Sequence, residues 1–290
     1  MTHRARARTS PRVVGALLTG AVLCGTAACT AGGSSADRSG APERPNATTV
    51  AAVQKAVDKG AGLNSLSYRV AGQVPGQGTV EGKASFSLRP RAADMRMTAS
   101  GGVKEGEFSV RLVGGAVYLG GGGQAAAVLD GKHWLKFALK DKEAGDFGGM
   151  QRQADQDPAA QASLLPQSDD VKKVGEETVD GVRTTHYAGV VDVAELQKKR
   201  AAKSSPDAER RTKVVEQYQQ LGVSELRLDL WVGPGDRTVK LRERARAAQG
   251  PLDVTIRFFD VNKPVTVQAP PASDTMDLEK QLREAQKELG

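Results

Sequence analysis

Val80-Glu81-Gly82-Lys83-Ala84-Ser85-Phe86-Ser87-Leu88 alternates small or apolar residues with polar ones, the pattern of a β-strand with one buried face. The same period of two surrounds it. Leu66, Tyr68 and Val70 alternate upstream, Met95, Met97 and Ala99 follow, then Phe108, Val110 and Leu112, then a short strand over residues 116–119. Pro75-Gly76, Arg89-Pro90, Gly101-Gly102 and Gly114-Gly115 punctuate these runs. Short turns between alternating strands predict an antiparallel meander with one buried face.

Further along, the pattern breaks and resumes. Glycines 120–123 lead through an alanine stretch to Lys132-His133-Trp134-Leu135-Lys136-Phe137. They lack the Gly-Lys-Ser/Thr ending and the βαβ context of a phosphate loop, and read as a flexible hairpin tip. Residues 141–168 are polar and predict one or two short helices. Strands are expected at 170–174 and 177–190, the latter folded at Asp180-Gly181. Residues 192–221 read as helical, interrupted by Pro206 and closed by Gly222. Three strands follow at 225–232, 238–247 and 252–260. From Thr275 onward, Leu278, Leu282, Ala285 and Leu289 share one helical face. Strand runs and helices in separate blocks predict an α+β fold, a large curved antiparallel sheet with helices against one side.

The N-terminus predicts export. Arg4, Arg6, Arg8 and Arg12 precede any acidic residue, an apolar run covers residues 13–23, and small residues lead to Cys29. This is a secretory signal; the apolar run is shorter than the roughly 20 residues a membrane helix needs. Ala27-Ala28-Cys29 resembles the bacterial lipobox, although Thr26 stands where leucine is usual. On that resemblance Cys29 is diacylated after cleavage at 28, and the palmitate-type chains anchor the protein to the membrane. The competing reading is an ordinary signal peptide cut after Ala28. Residues 29–49 hold no apolar side chain larger than alanine, so they form a flexible Gly/Ser/Pro tether.

Removing residues 1–28 leaves 37 basic against 34 acidic residues, a net charge of +3 instead of +7. A nucleic-acid partner loses its motive. Twelve aromatic residues are few for a domain of this size, so core and cavity alike must rest on Val, Leu, Ala and Met. No Gly-x-Ser-x-Gly, no His-Glu-x-x-His and no second mature cysteine appears. The expectation is a non-enzyme without metal or cofactor.

Several segments together are similar to the LppX/LprG-type lipoproteins of mycobacteria and other actinobacteria (the LppX, LprA, LprF, LprG group). They are residues 132–136, Val179-Asp180-Gly181-Val182-Arg183-Thr184-Thr185-His186-Tyr187, Leu228-Asp229-Leu230-Trp231-Val232-Gly233, Phe258-Phe259-Asp260-Val261-Asn262-Lys263-Pro264-Val265 and Ala269-Pro270-Pro271. The resemblance spans residues 50–272 and leaves 273–290 as a C-terminal amphipathic helix or tail. It implies a half-barrel sheet wrapped around helices, similar to periplasmic lipoprotein carriers, with an apolar cavity for acyl chains. Candidate cavity residues are Tyr68, Val70, Phe86, Met95, Met97, Val110, Leu112, Trp134, Leu228, Leu230, Ile256 and Phe258. The implied function is binding of a lipid or lipid-modified molecule for transport or retention at the outer face of the cytoplasmic membrane, by a monomer. The alternative is a ligand-free module that partners another envelope protein or regulator.

Other residues read blandly. His133 and His186 lie on separate strands with no ligand spacing. Trp134 and Trp231 stand at the cavity mouth or fill core. Asp229, between Leu228 and Leu230, is expected to face solvent. The basic run from Lys198 to Lys213 reads as a solvated helix face, with attraction to anionic headgroups as the functional alternative.

Overall fold

A computed structural model describes residues 47–102, 105–138, 161–199 and 206–288. Cys29, the tether before Ala47, most of the 141–168 segment and residues 200–205 of the basic run lie outside these residues.

The described chain builds one sheet of twelve strands. They are β1 (Ser65–Val74), β2 (Gly78–Leu88), β3 (Arg91–Ser100), β4 (Gly106–Val113), β5 (Ala116–Gly120), β6 (Trp134–Ala138), β7 (Lys172–Val179), β8 (Val182–Asp192), β9 (Glu225–Gly233), β10 (Arg237–Ala247), β11 (Gly250–Phe259) and β12 (Thr275–Asp277). Their order is β12-β6-β5-β4-β3-β2-β1-β11-β10-β9-β8-β7, an open, curved sheet. Two meanders therefore meet where β1 pairs with β11. Every pair is antiparallel except β12 on β6, a parallel edge pair that the local pattern does not signal.

Five helices accompany the sheet among the described residues: α1 (Ala47–Ala61), α2 (Gly122–Val128), α3 (Val193–Lys199), α4 (Pro206–Gln220) and α5 (Leu278–Glu288). Pro206 interrupts the helical stretch as expected and becomes the first residue of α4, where a missing N–H costs nothing. The glycine cluster does lie in the connection of the antiparallel β5–β6 pair, but that connection is helical rather than an open tip. Gly122-Gly123-Gln124-Ala125-Ala126-Ala127-Val128 forms α2, because three consecutive alanines favour helix more than the preceding glycines oppose it. No described helix is long and apolar enough to cross a membrane.

The core fills one half of the sheet's inner face. Val53, Ala56 and Val57 of α1, spaced for one helical stripe, are buried there with Val214, Val215 and Tyr218 of α4. They close over Leu226, Leu228 and Leu230 of β9, Leu241 of β10 and Val254 and Ile256 of β11. Burying a leucine side chain contributes roughly 1.5–3 kcal/mol, so this half holds the fold. At Asp180-Gly181, φ values of 49° and 78° give the left-handed pair that a tight hairpin turn requires.

After β11 the chain leaves the middle of the sheet and reappears at its far edge as β12. Residues 260–274 cross the outer face as a strap, extended over 263–271 and closed by a 3-10 turn at Ala272–Asp274. Ser65 donates from Oγ to the Lys263 carbonyl at 2.6 Å, and Arg111 donates to the Gln268 carbonyl at 3.2 Å. The Lys132–Lys136 segment receives the strap's end. His133 donates its backbone N–H to Asp274 at 3.0 Å, and its Nδ1 lies 2.8 Å from the same oxygen. Lys136 pairs with Asp277 at 2.8 Å. His133 thus fastens β12 to the sheet, and its contact holds the Asp274 carboxyl below its usual range.

Candidate functional site

Strand registers sort the expected cavity residues by face. Tyr68, Ala84, Met95, Val110, Leu119 and Leu135 form one cross-strand row, and Val70, Gly82, Met97 and Phe108 form the next. Phe86, Ala93 and Leu112 make a third. Val70 opposes Ile256, which opposes Leu241, which opposes Leu230, and Phe258 opposes Tyr68. Eleven of the twelve candidates therefore share the inner face, Leu228 joining them two residues before Leu230.

Trp134 is the exception. It pairs with Gly120, one residue out of phase with Leu135, and so lies on the outer face. A Cβ at Gly120 would sit 3.0 Å from its ring, and the Arg111 guanidinium lies 4.7 Å from the ring centre on this face. Strand parity, which a residue list alone does not carry, decides this.

The eleven do not share one environment. Leu228, Leu230 and Ile256 are sealed in the core, with Tyr68, Val70 and Phe258 packed against its edge. Met95, Met97 and Leu112 are half-buried on β3 and β4, and Phe108 beside them is 41% exposed. Gly82 matters here: a Cβ would come within 2.1 Å of the Met97 sulfur, so glycine lets Met97 fold across β2.

Phe86 and Phe258 line an apolar pocket of about 180 Å³ between α1 and the sheet, with Ala56, Val57, Leu66 and the half-exposed Leu88. Lys59, Arg237 and Thr238 are its polar members. Sites that enclose a whole small molecule measure roughly 300–1,000 Å³. At about 180 Å³ this pocket is too small to enclose a whole molecule of that kind.

The outer face carries a polar network that the sequence does not announce. Asp229 does point away from Leu228 and Leu230, but it is not solvated: it is 5% exposed. His186 Nε2 lies 2.9 Å from one of its oxygens and Arg244 donates to the other at 2.5 Å. The imidazole stacks on Trp231 with centroids 4.2 Å apart and planes 9° from parallel. Lys240 sits 3.5 Å over the same indole, whose N–H donates to Glu177. Long neighbouring side chains cover the carboxylate, which strand alternation cannot reveal. Among the described residues no group of three or more His, Cys, Asp or Glu side chains is arranged to hold a metal.

Among the described residues, one charged side chain is buried on the inner face. Glu243 of β10 pairs with Leu228 and Val254, and is 2% exposed. Tyr218 of α4 donates to its Oε2 at 2.8 Å, while Oε1 has no partner. Burial pushes the carboxyl up to about 7, against the opposing hydrogen bond from Tyr218, and burial also raises the Tyr218 phenol. The sequence signal was a glutamate in the apolar register between Leu241 and Ala245.

No protein-family model matches the chain. An uncharacterised 31.2 kDa protein of Streptomyces griseus is 36% identical over 184 residues, 62% of this chain and 59% of that protein. A candidate lipoprotein of Streptomyces coelicolor is 30% identical over 179 residues, 60% of this chain and 53% of that one. The chain thus spans a little over half the length of these relatives. Among solved structures, LprF of Mycobacterium bovis aligns over 79% of this chain and 100% of its own, at 16% identity and a TM-score of 0.47. The lipoprotein LppX of Mycobacterium tuberculosis aligns over 77% and 100%, at 15% identity and a TM-score of 0.43. LprF and LppX are members of the group that the sequence segments resemble. Identity is low in both cases, and the likeness is one of chain course.

Proposed function

We propose that the protein is an extracytoplasmic lipoprotein, anchored through Cys29 at the outer face of the cytoplasmic membrane, that holds an alkyl chain of a lipid or acylated molecule against the inner face of its sheet. The observation that carries this is the apolar pocket at Phe86 and Phe258, which adjoins the inner-face rows of β1–β4. The lipobox-like Ala27-Ala28-Cys29 and the lipoprotein name of the Streptomyces coelicolor relative support the anchored location. A monomer suffices, because pocket and apolar rows belong to one chain.

The test is to narrow the pocket without touching the core. Ala61 is exposed at the end of α1 and lines the pocket. Ala61→Trp places an indole across it at little cost to folding. Each methylene kept out of the pocket loses about 0.8 kcal/mol, so excluding two lowers the affinity for a fluorescent fatty acid about tenfold. Unchanged binding by a folded Ala61→Trp protein removes the pocket from the account.

A second reading has one observation in its favour. The half of the inner face beneath α1 and α4 is closed by its own side chains, which suits a ligand-free module for an envelope partner. A chain that takes no lipid under any loading condition fits that module instead.

A further inference from the structure

Five cations stand side by side on the outer face. Arg96, Lys83, Arg69, Arg257 and Lys240 are direct cross-strand neighbours on β3, β2, β1, β11 and β10. Adjacent strands lie about 4.8 Å apart, and like charges directly opposite each other destabilise a sheet. The row is only partly neutralised among the described residues. Arg96, well exposed, lies 3.7 Å from the half-buried Asp94, and Arg257 lies 3.7 Å from the exposed Asp180. Arg69 and Lys83 share the ring of Phe259, at 4.6 and 5.4 Å from its centre, with no ion pair to a described carboxylate. An anion placed on this row removes the repulsion.

The fold provides a place for one. A polar cleft of about 490 Å³ lies beside the row, floored by Ser67, Ser85, Lys83, Asp94 and Arg96 and bounded by strap residues Lys263–Thr266. The Ser67 and Ser85 hydroxyls lie 2.7 Å apart, so one donates to the other and the second keeps its proton for a ligand. Two carboxylates border the cleft, each already matched. Asp260 pairs with Lys263 at 2.7 Å, and Asp94 lies between Arg96 and Arg111, 3.4 Å from the latter. The excess charge is positive.

We propose that this cleft binds the phosphate ester of a phosphorylated polyol. Arg96 and Lys83 supply a guanidinium fork and an ammonium for the phosphate oxygens. A free serine hydroxyl adds a third donor, and Asp94 and Asp260 accept from the polyol hydroxyls. The site is on the opposite face from the apolar pocket and stands or falls independently of lipid binding there. The ester could belong to a soluble phosphate or to a lipid headgroup.

Calorimetric titration of the full chain in neutral detergent, at low salt, tests this. The probes are glycerol 3-phosphate, glycerol, and a short-chain phosphatidylglycerol. The expected result is binding of at least one phosphate ester and none of glycerol. Glycerol 3-phosphate alone marks a soluble source, and phosphatidylglycerol alone marks a headgroup. Lys83→Gln should weaken binding about tenfold, the cost of one charge-assisted hydrogen bond. Because it also relieves like-charge repulsion, it should leave the melting temperature unchanged or raised. Lys172→Gln, on exposed β7, should bind as the parent chain does. The proposal is overturned if neither ester binds, if Lys172→Gln weakens binding equally, or if Lys83→Gln binds normally.

Discussion

Glu243→Gln should stabilise the protein by up to about 3 kcal/mol at pH 8 and leave it nearly unchanged at pH 4. The carboxyl titrates near 4.5 when unfolded and near 7 when folded. Between those values the folded chain holds a proton that the unfolded chain has released, so stability falls as pH rises. The contribution is fully present below about 4.5 and lost through about 7. A difference of about 2.5 units corresponds to about 3 kcal/mol. Glutamine mimics the protonated acid: Tyr218 can still donate to its carbonyl oxygen, and no charge is buried. Urea unfolding from pH 4 to 8 checks this. The parent and Glu243→Gln curves should converge at acid pH and separate above it. Parallel curves would mean that folding leaves the carboxyl's titration unshifted.

The second large effect is expected at Asp229→Ala, a loss of about 2–3 kcal/mol. The substitution removes one carboxylate, strips Arg244 of its partner and leaves His186 only its 3.4 Å contact with Glu177. Arg244 is 38% exposed and recovers part of its hydration, which keeps the loss below that of a fully buried pair. His186 is 15% exposed and recovers little. Adding Arg244→Ala should then cost less than it does in the parent chain, because its partner has already gone. Denaturant unfolding of the two single variants and the double gives the coupling directly. Additive losses would show that the 2.5 Å contact carries no net stability.

Much of the fold is legible because it obeys period two. Both meanders, the Asp180-Gly181 turn and the helix start at Pro206 follow from local pattern. Other features depend on distant chain. β12 joins β6 because the strap carries it across the sheet, and three residues hold too little pattern to announce a strand. Helix α1 carries Val50, Val53, Ala56 and Val57 at helical spacing, yet the tether's composition masks its start at Ala47. The inner face could be assembled from alternation, whereas the facing of Trp134 required the register with β5. Burial of Asp229 and the five-cation row appear only when neighbouring strands are aligned. Alternation says that these residues face outward, and only the sheet order says what stands beside them.

The most direct test of the central claim is the mass of the protein as its own membrane supplies it. Full-length chain extracted in mild detergent would be weighed natively and again after denaturation. The expected result is a denatured chain that begins at Cys29 and carries the diacylglyceryl mass, with a further stoichiometric adduct of lipid mass in the native spectrum alone. A native spectrum free of any adduct, even after incubation with lipid extracted from the same membrane, would contradict a lipid-holding function.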